Sequence, residues 1–163
     1  YCFICVINRK VMIRKLLYIL AIVLILIQFY RPDLNNSSYE SAVNEFILQN
    51  NVSSEVESIL KTSCFDCHSN HTSYPFYAQV APISFWINHH VEDGKEHLNF
   101  SDWNNYSIKK KLHKLDEIIE EIEEHEMPLR SYTLLHTDAK LNEEASKLLV
   151  NWSKKLQNTY NIK

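Results

Sequence analysis

A single glycine, Gly94, occurs in this chain of 163 residues, and that scarcity constrains the fold strongly. Glycine supplies the positive φ angles of tight hairpin turns and allows the close backbone approach of phosphate-binding loops. One glycine therefore excludes Gly-rich nucleotide-binding loops and disfavours hairpin-rich sheets. Hydrophobic residues make up 45% of the chain and charged residues 23%, which is typical of one globular domain. Helices are therefore expected to make up most of the fold.

The net charge of −3 is divided unevenly along the chain. Residues 1–35 hold five basic residues against one acidic residue (+4), whereas residues 36–163 hold 12 basic against 19 acidic residues (−7). Binding to nucleic-acid phosphates requires clustered Lys and Arg side chains. The acidic part of the chain therefore predicts no nucleic-acid partner.

Residues 16–30 form an uncharged apolar run that follows two basic residues and ends before Arg31. The run is shorter than the roughly 20 residues that span a bilayer, so a cleaved signal peptide is the alternative to a membrane helix. Residues 28–30 are all bulky, and this absence of small residues at the cleavage position favours an uncleaved anchor. With the basic flank in the cytoplasm, we expect a single-pass inner-membrane protein whose residues 33–163 face the periplasm.

The pattern of composition divides the chain into four parts. These are the basic flank and membrane anchor (1–31), a polar tether rich in Asn and Ser (32–51), the folded domain (52–157) and a C-terminal tail (158–163). Two interpretations of residues 1–11 stay open, an untranslated stretch before Met12 or an apolar extension of the anchor. Neither interpretation assigns them a function.

Apolar residues at spacings of three and four predict four helices in the folded domain. They are expected over residues 52–67, 82–94 and 107–125, and from Asn142 onward. Asn142 is a preferred N-cap residue, and Pro82 suits a first helical position. The helix over residues 107–125 has the clearest apolar stripe, and its opposite face is acidic. We predict a small helical domain that follows an N-terminal membrane segment.

Residues 64–68, Cys-Phe-Asp-Cys-His, form a C-x-x-C-H sequence, the attachment signal for c-type haem. Separations of three and four residues place Cys64, Cys67 and His68 on one side of a helix or of its last turn. Two thioether bonds can then hold one edge of the macrocycle while the imidazole reaches the iron. We predict one haem c per chain, attached through Cys64 and Cys67, with His68 as the proximal iron ligand.

Two other uses of these cysteines are considered. A thioredoxin-like disulfide needs its C-x-x-C at the start of a helix in a βαβ unit, whereas Cys64 and Cys67 end a predicted helix. A zinc site that recruited Cys2 and Cys5 would join residues separated by the membrane segment. Export favours haem, because a bare cysteine pair outside the cytoplasm tends to become a disulfide.

Met127 is the predicted distal iron ligand. It is the only methionine of the exported part, and it precedes Pro128, which disfavours a helical conformation at Met127 and releases its side chain into a loop. The alternatives are that Met127 fills a gap in the core or that a histidine binds the iron. His90 and His125 are the first histidines to test, and ligation by a second histidine would lower the redox potential.

Two further features bear on a haem pocket. Arg130, the only arginine after residue 31, is a candidate partner for a haem propionate, with a solvated surface arginine as the alternative. The stretch after the motif is rich in aromatic residues, which would line the haem or belong to an ordinary core. These are Tyr74, Phe76, Tyr77, Phe85 and Trp86.

Residues beyond the motif extend the pattern over about residues 52–153. They are Ser69-Asn70, Tyr74-Pro75, Pro82, Trp86, the block 89–103, Met127-Pro128-Leu129, Tyr132, His136, Ala139, Leu141 and Trp152. With Cys64, Cys67 and His68, this set resembles the haem-binding domain proteins of cytochrome c type from bacterial envelopes. The resemblance implies a cytochrome c-like all-α fold, covalent haem, and proximal and distal ligation by His68 and Met127.

These features predict a membrane-anchored monohaem c-type cytochrome that carries single electrons between unidentified envelope redox proteins and is not an enzyme. The alternative is a haem-based sensor or small-ligand-binding protein, in which the distal bond is weak or absent. A third hypothesis is an envelope thiol oxidoreductase that uses Cys64 and Cys67 and holds no haem. The coordination of Met127 distinguishes the first two hypotheses.

Overall fold

A computed structural model describes residues 3–36 and 39–162. These residues contain no β-strand, and one isolated antiparallel bridge pairs Asn36 with His71. The α-helices are α1 (Phe3–Leu26), α2 (Tyr39–Gln49), α3 (Ser54–Ser63), α4 (Phe65–His68), α5 (Ile83–His97), α6 (Ile108–Glu123), α7 (Arg130–Thr133) and α8 (Glu143–Asn161). Short 3-10 helices cover Ile27–Phe29, Phe76–Gln79, Phe100–Asn105 and Thr137–Ala139. The predicted all-α fold is confirmed.

The chain divides into two compact units, and the first comprises residues 1–33 and 74–89. In this unit the segment Arg9–Phe29 is long and apolar enough to cross a membrane. It includes most of α1 and the 3-10 turn after it, and has 21 residues and a mean hydropathy of 2.2. At about 1.5 Å per residue, that length matches a hydrocarbon core of roughly 30 Å. The structure is therefore compatible with the predicted membrane segment and extends it beyond the apolar run 16–30.

The second unit comprises residues 34–73 and 90–163 and contains the main hydrophobic core. The predicted stripes of α6 and α8 are buried there, as Leu115 and Leu149 illustrate. Asn142 caps α8 as predicted, because its side chain accepts a hydrogen bond from the N–H of Ala145 at 2.8 Å. The apolar stripe of α6 is not buried along its whole length, because Ile108 at its start is 49% exposed.

The predicted polar tether differs from the structure. Residues 39–49 form α2, and Val43 and Phe46 on this helix are fully buried. The Phe46 ring lies 4.9 Å from Phe100 and 5.5 Å from Trp103, centroid to centroid. The Asn- and Ser-rich composition of this region concealed a short amphipathic pattern. Asn and Ser have low helix propensity, and here the packing of α2 against the core outweighs it. The packed unit therefore begins before residue 52.

Truncating Phe46 tests whether α2 belongs to the core. We expect Phe46→Ala to lower the free energy of unfolding by about 3–5 kcal/mol, because it removes a buried aromatic ring and leaves a cavity. Leu48→Ala on the same helix is the matched control, since Leu48 is 76% exposed. Urea unfolding of the full chain in detergent measures both changes. Equal effects of the two substitutions would show that α2 is only a tether.

Two other predicted boundaries differ from the structure. The predicted helix 52–67 is broken at Cys64, which has φ −127° and ψ −45°, so that α3 ends and the single turn α4 begins in a new direction. Phe65, the first residue of α4, is thereby buried and lies 5.3 Å from the Phe100 ring. The predicted tail 158–163 is helical to Asn161, and the Tyr160 hydroxyl accepts the indole N–H of Trp103 at 3.0 Å.

Candidate functional site

The C-x-x-C-H residues form one helical turn in the second unit. The N–H of His68 donates to the carbonyl of Cys64 at 2.9 Å, and the N–H of Cys67 donates to the same oxygen at 3.2 Å. All three side chains are half-buried. Separations of three and four residues within one turn place these side chains on one side of it. The structure therefore places Cys64, Cys67 and His68 within one turn of the chain, and their roles at a haem stay a prediction.

The imidazole of His68 is held by the C-terminal end of α5. Its Nδ1 lies 2.8 Å from the carbonyl oxygen of Gly94 and 3.0 Å from that of Leu98. Two carbonyl oxygens can only accept, so Nδ1 carries the proton and Nε2 keeps its lone pair. Burial lowers the pKa of His68 from its ordinary value, which favours the neutral ring. A neutral imidazole with a free Nε2 is the form that binds a metal.

Gly94 lets α5 approach the motif closely. A Cβ atom built on Gly94 would lie 2.8 Å from the carbonyl oxygen of Cys67 and 3.1 Å from its Cβ. The only glycine of the chain thus stands where α5 lies against the backbone of Cys67. The sequence predicts Gly94 near the end of a helix and indicates no role for it at the site. The signal was a lone glycine inside a helical pattern, which often marks close packing.

Adding one methyl group at Gly94 tests this contact. We expect Gly94→Ala to destabilise the protein, because an overpacking cost of about 1–3 kcal/mol exceeds the gain in helix propensity of about 1 kcal/mol. Glu96→Ala, at an exposed position of α5, is the matched control and should change stability by less than about 0.5 kcal/mol. Denaturant titration of the full chain in detergent measures both. A stabilised Gly94→Ala protein would contradict the close contact.

Both cysteines of the motif are free thiols in the structure. Burial, and secondarily the neighbouring Cys67, raises the pKa of Cys64 to about 12. Burial and the nearby negative charge of Asp66 raise the pKa of Cys67 to about 11. A redox-active dithiol needs a thiol with a lowered pKa. The surroundings of Cys64 and Cys67 therefore do not favour the thioredoxin-like alternative.

Asp66, inside the motif, joins α7 to the C-x-x-C-H turn through a hydrogen bond. Its Oδ2 accepts the Tyr132 hydroxyl at 2.8 Å, and its Oδ1 accepts the N–H of Ser73 at 2.9 Å. Burial and the Asp66 charge raise the pKa of Tyr132 above its ordinary value, so this hydroxyl stays a donor. The Tyr132 ring stacks on His136 at a centroid distance of 4.2 Å. Asp66 therefore connects the motif with a segment more than 60 residues later.

Buried amides hold the chain that leaves the motif. The Asn99 side chain, 4% exposed, donates to Oδ1 of Asn70 at 2.8 Å, and the N–H of Asn70 donates to the Ser101 hydroxyl at 3.0 Å. The Asn35 side chain donates to the carbonyl of Ser69 at 2.9 Å. Sequence analysis grouped Asn70, Asn99 and Ser101 only through the family resemblance. It missed Asn35, which lies in the predicted tether and carries no local signal.

Met127 lies half-buried in the bend after α6. The helix ends at Glu123, two residues before the predicted end, because His125 adopts a left-handed conformation with φ 61°. The N–H of Glu126 then donates to the carbonyl of Glu121 at 3.0 Å and the N–H of His125 to that of Ile122 at 3.3 Å, which is a Schellman-type helix end. Met127 is therefore outside the helix, as predicted. Its role as an iron ligand stays a prediction.

The segment that follows Met127 contacts the C-x-x-C-H motif through Tyr132. Tyr132, which bonds to Asp66, lies five residues after Met127. Arg130 is the first residue of α7 and is exposed, two residues before Tyr132. The hydrogen bond of Tyr132 to Asp66 therefore joins the segment that carries Met127 and Arg130 to the C-x-x-C-H turn. Whether Arg130 pairs with a propionate stays a prediction.

The predicted rival ligands occupy different settings. His125 is exposed and terminates α6 through its left-handed conformation. His90 is half-buried on α5. Cys2, which the zinc alternative requires, lies outside the described residues. Among the residues that the structure does describe, no group of three or more His, Cys, Asp or Glu side chains could hold a metal ion.

The donor set fits covalent haem attachment. It combines two free thiols, on Cys64 and Cys67, with an imidazole whose Nδ1 is occupied by backbone carbonyls. Thioether formation needs thiols that are not joined as a disulfide, and axial ligation needs the Nε2 lone pair. Both requirements are met within residues 64–68.

The chain matches the model of a known protein family. The model of a family described as a haem-binding domain matches residues 22–155. Neither a curated protein nor a solved structure matches the chain. The matched range includes the C-x-x-C-H turn, α5, Met127 and most of α8.

Proposed function

This chain belongs to the haem-binding domain family, and we propose that it is a membrane-anchored monohaem c-type cytochrome that carries single electrons in the cell envelope. The observation that carries the proposal is the state of His68 beside two free thiols. The carbonyls of Gly94 and Leu98 orient the ring and hold its Nδ1 proton. Such a hydrogen bond fixes the tautomer and raises the basicity of the ligating nitrogen.

In this proposal Cys64 and Cys67 hold the cofactor covalently and His68 is the proximal ligand. Bound haem supplies a one-electron couple between ferric and ferrous iron. The chain sets the surroundings of that couple. Phe65 is buried and packs the C-x-x-C-H turn against the core. Gly94 allows α5 to approach this turn closely enough for its carbonyl groups to bond to His68. Asp66 and Tyr132 tie α7 to the same turn.

Met127 is the proposed distal ligand, and Arg130 is a candidate propionate partner. The helix end at His125 places Met127 in a bend, and Tyr132 links the following segment to the motif. Two protein ligands would close both axial positions of the iron, which favours electron transfer over small-ligand binding. No substrate pocket is needed for this function, so we propose a carrier and not an enzyme.

The proposed location is the inner membrane, with the haem domain facing the periplasm. The span Arg9–Phe29 supports the anchor, and the basic residues at its N-terminal end support a cytoplasmic start. The proposed partners are unidentified envelope redox proteins.

Spectroscopy of the exported protein tests the proposal. The full chain is expressed with haem maturation and export machinery, and a control culture lacks the maturation machinery. We expect a reduced-minus-oxidised difference spectrum of haem c and a haem-stained band on a denaturing gel, in the first culture alone. Exported chain without covalent haem would contradict the c-type assignment. Covalent haem that does not cycle between oxidation states would contradict electron carrying.

A further inference from the structure

The first unit carries exposed apolar side chains in the stretch that follows the C-x-x-C-H motif. Residues 74–89 contain no Asp, Glu, Lys or Arg, although charged residues make up 23% of the chain. Four large apolar side chains in this stretch are exposed, namely Phe76 (86%), Val80 (50%), Ile83 (44%) and Trp86 (48%). We name these four residues the interface patch. An uncharged, exposed apolar patch indicates a surface that contacts another apolar phase.

A two-way amide pairing holds this stretch to the end of the α1 span. The side-chain N–H of Gln28 donates to the carbonyl of Ala81 at 3.0 Å, and its side-chain oxygen accepts the N–H of Ala81 at 3.0 Å. Because Gln28 lies in the last turn of the span Arg9–Phe29, the pairing sets Ala81 level with the end of the span. Ala81 stands in the middle of the interface patch sequence.

Two more contacts hold residues 79–85 beside the end of the span. The Arg31 guanidinium donates to the carbonyl of Gln79. The Tyr30 and Phe85 rings meet edge to face at a centroid distance of 5.6 Å. Contacts from two consecutive residues beyond the span therefore reach the same stretch. Residues 79–85 lie where the chain would leave a bilayer.

We propose that the interface patch inserts into the lipid interface of the membrane that the α1 span crosses, forming a second membrane contact that does not span. This inference rests on the proposed membrane anchoring. Phe29, at the end of the span, is 82% exposed, and Tyr30 is 70% exposed. Exposed aromatic side chains therefore lie both at the end of the span and in the stretch that Gln28 pairs with it. Continuity with the span makes lipid the occupant of the patch.

The side chains match the chemistry of a bilayer interface. Trp and Tyr concentrate at the level of the headgroups, where one end of the ring system is apolar and the other is hydrated. Arg31 is the residue that a headgroup region accommodates, since its long side chain can reach the phosphates. The patch itself carries no charge, so its insertion needs no anionic lipid and does not weaken at high salt.

Nitroxide labels in the haem-loaded full chain test the contact. In a Cys2→Ser/Cys5→Ser background, one new cysteine is introduced per variant by Phe76→Cys or Val80→Cys and labelled. The proteins are placed in nanodiscs of phosphatidylcholine, at low and high salt. Power saturation measures the accessibility of each label to oxygen, which concentrates in lipid, and to a water-soluble nickel chelate. The haem iron affects both measurements of one label equally.

Two reference labels calibrate the ratio of oxygen to nickel accessibility. Leu20→Cys lies within the span, and Glu124→Cys lies at an exposed position of the second unit. We expect labels at Phe76 and Val80 to give ratios several-fold above that of Glu124→Cys and below that of Leu20→Cys, which lies near the middle of the span, at both salt concentrations. Two patch positions are used so that a local effect of one substitution does not decide the result.

The other outcomes overturn the inference in distinct ways. A water-like ratio at Phe76 and Val80, with a lipid-like ratio at Leu20→Cys, refutes the second contact and leaves the anchor in place. A water-like ratio at Leu20→Cys refutes the anchor, and the second contact with it. Low accessibility to both reagents at Phe76 and Val80 shows that protein covers the patch, which also contradicts insertion into lipid.

Discussion

A Cys64→Ser/Cys67→Ser protein is expected to lose covalently bound haem completely, as measured by haem staining after denaturing electrophoresis. Serine lacks the thiol that forms the thioether bond, and both links are removed at once. His68 could still hold haem through its Nε2, but an axial bond does not survive denaturation. The substitution itself is small, because serine replaces sulfur with oxygen at two half-buried positions of one turn.

Cys5→Ser is the matched control for this experiment. It also removes one thiol of the chain but lies outside the C-x-x-C-H turn, so the haem-stained band should persist. Single Cys64→Ser and Cys67→Ser variants each retain one thiol and should retain a weaker band. Haem that stays with the denatured double variant would refute attachment through these cysteines, and a wild-type chain without haem would favour the thiol oxidoreductase hypothesis.

Met127→Ala is expected to open the iron to added carbon monoxide or imidazole and to lower the redox potential. The thioether favours ferrous iron, and its removal leaves one axial position for an exogenous ligand. Ligand titration followed by visible spectroscopy measures the first effect, and a redox titration measures the second. Met127→His should close the axial position again while the potential stays low, because imidazole favours ferric iron more than a thioether does.

Leu129→Ala controls for lost packing. Leu129 is half-buried and lies two residues after Met127, but its side chain has no donor atom. We expect it to bind added ligands as weakly as the wild type does. If Met127→Ala resembles this control, Met127 fills the core and His90 or His125 becomes the ligand to test. Rapid carbon monoxide binding by the wild type would instead support a haem-based sensor.

Local pattern was enough to predict the strongest helices. The stripe of α6 and the Asn142 cap of α8 lie within one or two turns of the residues that they organise, so sequence spacing encodes them. The C-x-x-C-H turn is local in the same sense, because the carbonyl of Cys64 accepts N–H groups only three and four residues later. The prediction that Met127 lies outside the helix used the proline after it, whereas in the structure His125 ends the helix earlier.

Residues whose roles depend on distant partners escaped this reasoning. Phe46 looked like part of a polar tether, and its burial depends on Phe100 and Trp103, more than 50 residues away. Cys64 breaks a helix whose apolar spacing continues without interruption, because Phe65 turns toward Phe100. Neither the burial of Phe46 nor the helix break at Cys64 is encoded by residues within one helical turn of it.

The sequence by itself determined that the chain is helical, that it begins with an apolar segment, and that two thiols and an imidazole share one turn. Only the tertiary structure decided the state of that imidazole. The carbonyls of Gly94 and Leu98, 26 and 30 residues after His68, hold its Nδ1 proton. They reach it because Gly94 has no Cβ to keep α5 away from Cys67. Spacing along a helix is set by backbone geometry, whereas hydrogen bonding between elements exists only after they pack.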